Sequence, residues 1–304
     1  MGIEQRRSQR MSEFGGTTML NENKISNHTA SSQAPRPWDD FDGLGYYYQF
    51  RPEYPSAIAE QLRSLLGNST QGTVIEVGAG TGLFTRSLAT ALGPACRIMA
   101  LEPNEDMRWH AVSQTPASMP ITYVDGIAEN LAAGDHSVQL LTAASAAHRF
   151  NRSVFYQEAE RVLMADGLLA LVQYEPFDRG SAFADDFLSA IEGALPNYRR
   201  HRHSKPEGGY LEIDIGAELK SLSAFQNVQR EALVFHEQID LETFMYRALS
   251  FTIVQKAMVA IGRSHLMAQL FEIFDRHADH KRLTAMPYEA EIITARRVDH
   301  GLKS

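Results

Sequence analysis

The sequence predicts an α/β chain: a doubly wound, mostly parallel sheet of seven strands with helices on its faces and a helical cap. Three observations carry this. Residues 74–82, Val-Ile-Glu-Val-Gly-Ala-Gly-Thr-Gly, form a β-branched run that closes on glycines at alternate positions, as a buried parallel strand feeding a tight turn requires. Short apolar runs recur at 97–101, 121–124, 138–142 and 168–173 with helix-forming stretches between them, and strands that alternate with helices pair in parallel. The alternation then breaks. Two further strand-like runs, 228–238 and 291–298, flank a stretch over 241–278 with apolar residues at helical spacing, which reads as a last hairpin with a cap inserted in it.

Along the chain, Pro52 and Pro55 interrupt regular structure, and Ser56 is placed to cap a helix through Leu66 that buries Ile58, Leu62, Leu65 and Leu66. A helix over 153–164 should end at Asp166-Gly167, and another should cover 183–195. Residues 1–35, with Arg6, Arg7 and Arg10 and then a polar run, read as a disordered leader without the apolar core of a secretory signal. Residues 36–304 read as one domain with cap insertions at about 178–215 and 241–280. A net charge of −8 argues against broad binding to nucleic acid or anionic membranes. The single cysteine, Cys96, excludes an internal disulfide and any cysteine-rich metal site, and suits a small core position. No run approaches the ~20 apolar residues of a membrane span. A cytoplasmic location and a small-molecule partner are the expectation, with the oligomeric state open.

Gly78, Gly80 and Gly82 let the strand-to-helix turn adopt φ > 0 and bring bare backbone against a ligand. A dinucleotide fingerprint would need a sixth-position glycine, but Leu83 stands there, and a pyrophosphate has no use for Glu76. An acid at that place suits a cationic ligand end. Glu102 closes the next strand-like run, where its carboxylate could accept hydrogen bonds from ribose hydroxyls. Met107 could lie on an adenine face, although an isolated methionine is more often a core residue.

The succession EVGAGTG, LEPNEDM, GIAENL, LLTAASAAHRF and RVLMADGLLAL, preceded by YxxFRPEYP, resembles the small-molecule class I S-adenosylmethionine methyltransferases. Within them it looks like the group of trans-aconitate and secondary-metabolite methyltransferases, across roughly residues 38–176. The resemblance implies their Rossmann-like fold, methyl transfer to oxygen or carbon of a metabolite, and S-adenosylmethionine as cofactor. It implies that Glu76, Gly78, Ala79, Gly80 and Gly82 surround the methionine part of the cofactor. Glu102, Pro103 and Met107 would surround ribose and adenine, Ile127 and Ala128 would flank the adenine edge, and Thr142 and Ala143 would lie near the sulfonium. Tyr46, Tyr48 and Arg51 would close over the site, with Arg51 facing the cofactor carboxylate. Three departures stand out: Ile127 where relatives have Asp, leaving the adenine amine to backbone or Asp125; Gln139 for a strand Asp; and Arg149 for the Trp of an AxHWF segment. His148, after the fourth strand, is the candidate general base. A non-catalytic cofactor-binding regulator and a nicotinamide oxidoreductase are the alternatives. The basic run from Arg199 to Lys205 reads either as a recruiting patch for an acidic substrate or as a solvated loop.

Overall fold

The computed structural model describes residues 36, 38–67, 72–204 and 210–299; the leader, Lys205 and the last five residues lie outside them. A short helix α1 (Gly45–Tyr48) and α2 (Ser56–Leu66) precede β1 (Thr73–Val77). There follow α3 (Leu83–Leu92), β2 (Arg97–Leu101), α4 (Glu105–Gln114), β3 (Ile121–Val124), β4 (Val138–Ala144), α5 (Arg152–Val162) and β5 (Leu163–Pro176). The second half holds α6 (Ala182–Ala194), the two-residue strands β6 (His203–Ser204) and β7 (Tyr210–Leu211), α7 (Ile215–Lys220) and β8 (Phe225–Ile239). Three helices, α8 (Leu241–Leu249), α9 (Thr252–Ile261) and α10 (Arg263–His277), lead to β9 (Thr284–Arg297).

Seven strands form one sheet in the order β3-β2-β1-β4-β5-β9-β8. The first five are parallel, and β9 runs antiparallel to both of its neighbours. Every residue of β4 is buried, as a central parallel strand covered on both faces requires. One apolar layer joins the sheet to α2, α3, α6 and the α8–α10 group, and a second joins it to α5 and α7. Cys96 is in the first of these, fully buried. Polar side chains start some of the helices: Asn104 accepts from Met107 N–H at 3.0 Å, Ser181 from Ala184 N–H at 3.2 Å and Asp240 from Thr243 N–H at 2.8 Å. No helix among the described residues is long and apolar enough to cross a membrane.

Several boundaries differ from the sequence expectation. Ser56 is the first residue of α2, not its cap; Pro55 holds that position and no side chain caps the helix. The helix expected to reach 164 stops at Val162, because Leu163 already pairs with Val138. The expected turn at Asp166, where φ is 58°, is a kink within β5. The stretch 241–278 is three helices, divided by the buried Ser250 and by Gly262, whose φ of 89° ends α9. Most important for the site, β4 continues two residues beyond the expected run 138–142, to Ala144.

Candidate functional site

A cavity of about 280 Å³ opens at the carboxyl ends of β1, β2 and β4, beneath the cap, where open α/β sheets bind ligands. Its floor is the loop after β1. Gly78, Gly80 and Gly82 have φ of 71°, 57° and 79°, a region that a side chain makes costly. A Cβ on Gly78 would stand 2.5 Å from that of Ala146, and one on Gly82 would collide with the Tyr123 hydroxyl. The loop therefore packs too tightly for anything but glycine at these two positions.

Two carboxylates flank this loop. Glu76, near the end of β1, is 1% exposed, and its Oε2 has no hydrogen-bond partner among the described residues. Burial drives its carboxyl up to about 8, against the pull of Thr85 and the Arg86 guanidinium. The hydroxyls of Thr81 and Thr142 are also buried without hydrogen-bond partners among the described residues, and Thr142 lies beside Glu76 in the β1–β4 register. Glu102, just past β2, accepts from Gly80 N–H at 2.7 Å on one oxygen and from Asn104 N–H at 2.8 Å on the other. A carboxylate offers about four acceptor directions, so roughly two remain free for a ligand. Burial raises the Glu102 carboxyl as well.

The opposite wall is built by β4 and its turn. Ser145 takes φ of 52° and accepts a hydrogen bond from the Tyr54 hydroxyl at 2.9 Å. His148 follows on the short turn Ala147–Arg149. Its ring stacks on that of His203, with centroids 4.5 Å apart and planes at 23°. Burial holds the His148 imidazole well below the ordinary histidine range, and His203, Arg149, Arg152 and Arg51 add to the effect. It is therefore neutral near neutral pH, with one unprotonated ring nitrogen. Arg51 lies between rings, 3.9 Å from the centroid of Phe251 and 4.9 Å from that of Tyr48. It donates to Ser250 C=O at 3.3 Å, and its Nε is buried without a partner. No carboxylate pairs with it among the described residues. Phe187, Leu188 and Ile191 of α6, with Phe251 and Ile253 around the start of α9, give this end an apolar roof.

A family model described as a methyltransferase domain matches residues 75–171. Over 82% of its length the chain superposes on 99% of a structure titled as a type II methyltransferase from Anaeromyxobacter dehalogenans, with a TM-score of 0.59 and 21% identity. That likeness establishes the fold, the Rossmann-like arrangement of this enzyme class. A Dictyostelium discoideum protein carrying the name methyltransferase is 29% identical over 148 residues, 48% of this chain. The chain spans about half that relative's length, 53%.

Within the matched residues, Glu76, Gly78, Ala79, Gly80, Glu102, Pro103, Met107, Ile127, Ala128 and His148 line the cavity, as do Tyr48 and Arg51 from the segment before them. Five of the residues singled out from the sequence do not. Thr142 and Ala143 lie wholly buried in β4, because that strand runs on to Ala144; Ala144, Ser145 and Ala146 form the wall instead. Gly82 serves as the turn into α3 and packs on Tyr123. Asp125 points outward near Arg108, at 3.9 Å. Tyr46 is 45% exposed and packs on Tyr47, Phe50 and Tyr246. Residues that the sequence reading passed over also line it: Trp38, Tyr54, Tyr174, Ser145 and His203. The paired aromatic residues of the 38–54 segment were the available signal for Trp38 and Tyr54. Ser145 gave none.

The basic run is not a free patch. Arg200 is held by Asp178 at 2.5 Å, Asp185 at 2.7 Å and Glu192 at 2.8 Å. His201 faces Glu175 at 3.4 Å, and Arg202 faces Glu212 at 3.3 Å. Arg149 stands over Phe41, 4.3 Å from its centroid, and reaches Asp40 at 3.5 Å. Neighbouring acids thus already compensate Arg200, His201 and Arg202, while Arg199 donates to the carbonyls of Pro196 and Tyr198.

Proposed function

We propose that this chain transfers a methyl group from S-adenosylmethionine to an oxygen or carbon of a small-molecule metabolite, an organic acid or secondary metabolite, in the cytoplasm. The observation that supports this most is the pair of buried carboxylates on either side of the glycine loop. Glu76 has an oxygen without a partner, which fits a cationic amine. Glu102 has acceptor directions to spare beside a close-packed backbone, which fits a vicinal diol. Arg51, a half-buried cation without a carboxylate partner among the described residues, fits the cofactor's own carboxylate. Pro103, Met107, Ile127 and Ala128 offer the apolar slot that an adenine needs.

When bound, the cofactor supplies a methyl group activated on a sulfonium. The chain's own residues then align, dry and deprotonate. The glycine loop and the two carboxylates fix the donor, so that in-line displacement becomes effectively unimolecular. The roof of Phe187, Leu188, Ile191, Phe251 and Ile253 excludes water from the acceptor end. His148 accepts the proton of an acceptor hydroxyl or carbon acid on a ring nitrogen; a carboxylate acceptor needs no such step. Calorimetric titration with S-adenosylhomocysteine and, beside it, NAD tests the ligand. Turnover of methyl-labelled S-adenosylmethionine with fractionated metabolite extract tests the transfer. Binding of NAD alone would sink the proposal, and cofactor binding with no labelled product from any fraction would favour a non-catalytic binder.

A further inference from the structure

We propose that Trp38 is a cofactor-binding residue that donates its indole N–H to the adenosine part of S-adenosylmethionine, an inference that rests on the cofactor reading above. The indole lines the cavity, and its Nε1 is shut off from solvent with no acceptor among the described residues. Indole is a donor only. A buried donor without a partner is uncommon and calls for a specific explanation, such as a ligand atom.

The position of the ring is fixed from the nucleoside end. Asn104 is buried and uses its carboxamide in three directions: it accepts from Met107 N–H at 3.0 Å, and donates to Trp38 C=O at 3.2 Å and to Asp42 at 2.7 Å. The Asn104 backbone N–H goes to Glu102 at 2.8 Å. One residue therefore ties the indole-bearing segment to the carboxylate assigned to the ribose. On the other side Arg36 stands over the Trp38 ring, 5.3 Å from its centroid, and is itself paired with Asp39 at 3.0 Å. The indole is clamped and not adrift. Pro103 and Met107, which line the same cavity, have side chains of hydrocarbon and a thioether only. An adenosyl group supplies what is missing: acceptor nitrogens on the ring, acceptor oxygens on the ribose, and a flat face for the indole to cover.

The test uses the fact that the chain has two tryptophans, Trp38 and Trp109, the second largely exposed on α4. In Trp109→Phe, Trp38 is the remaining tryptophan. Its fluorescence should change saturably on adding S-adenosylhomocysteine, with a midpoint that matches the calorimetric Kd. Trp38→Phe keeps a ring and removes the N–H, and should weaken S-adenosylhomocysteine binding about 5- to 20-fold. The same factor should appear for 5′-methylthioadenosine, which has the adenosine and lacks the amino acid. Unchanged fluorescence, or binding of both ligands to Trp38→Phe within twofold of wild type, would overturn the proposal and leave the cofactor reading standing. Failure of both ligands to bind the wild-type chain would remove that reading and this inference with it. Should Trp38→Phe not fold, judged by its thermal melt, the fluorescence of Trp109→Phe decides alone.

Discussion

Titrating the Glu76 carboxyl should control how tightly the nucleoside ligand binds. In the ligand-free chain burial pushes this group up to about 8, and an amine cation placed on its unpartnered oxygen would return it towards the ordinary carboxylate value. At pH 7 the empty site then carries about 0.9 of a proton that binding must release. Between pH 5.5 and 7.0 the affinity for S-adenosylhomocysteine should rise about 30-fold, a window in which the ligand amine remains charged. Calorimetry at several pH values, in buffers of different ionisation enthalpy, measures both quantities. Glu76→Gln should bind with an affinity flat over the same range and release no proton from this site. Stability should follow the opposite course. The folded-state value lies above the unfolded one, so the contribution is full below about pH 4.5 and is lost as pH rises through about 8, roughly 5 kcal/mol in all at 1.36 kcal/mol per unit. Urea titrations of wild type minus Glu76→Gln read that difference. An affinity in wild type that is flat from pH 5.5 to 7.0 would refute the placement of a cation at Glu76.

Other consequences can be checked separately. Glu102→Ala should weaken S-adenosylhomocysteine at least ~10-fold, since it removes a charged acceptor and frees the Gly80 N–H that it holds. His148→Gln should lower kcat about 10²- to 10⁴-fold with any acceptor found by labelling, while cofactor Kd stays within about twofold. In wild type the acid limb of the kcat profile should lie below that of an ordinary histidine, because burial lowers the His148 imidazole. Gly78→Ala should abolish ligand binding in a titration, since the new methyl meets Ala146 at 2.5 Å on a backbone with φ of 71°. Arg247→Ala should cost about 3 kcal/mol in a denaturant melt, since it leaves Glu237 without the partner that stands 2.6 Å away and strips Phe50 C=O of its donor.

The strands that carry the nucleoside half were legible because their chemistry is local. At 97–101 and 121–124 an apolar run lies between turn-forming residues, and the observed bounds coincide with the run. The glycine loop was legible for the same reason: a turn at φ > 0 packed on Ala146 and Tyr123 admits no other residue at 78 and 82. The acceptor half was not. Ala143 and Ala144 have no strand preference of their own, and they are extended because Leu171 and Val172 stand opposite them in β5. That two-residue extension carries the wall from Thr142 and Ala143 to Ala144–Ala146. Helix α7 escaped notice because its six residues are too few for a periodic pattern. Its one local signal is Asp214, which accepts from Ala217 N–H at 3.0 Å. Trp38 and His203 reach the cavity only by tertiary folding of segments far from the motif, and composition says nothing about where such segments land.

Ile239 and Thr284 sit opposite each other at the last rung of the β8–β9 pair, so residues 240–283 leave the sheet and rejoin it at one point. A segment with touching ends is a cassette. It can be lengthened, shortened or grafted from another chain without moving the register of any strand, and the glycine loop on the far side of the sheet need not change with it. Phe251, Thr252 and Ile253 of the cavity roof lie on that cassette. Acceptor choice can thus drift by replacement of one exchangeable piece while the glycine loop, Glu76 and Glu102 stay as they are, provided the new piece keeps the carbonyl and ring that hold Arg51.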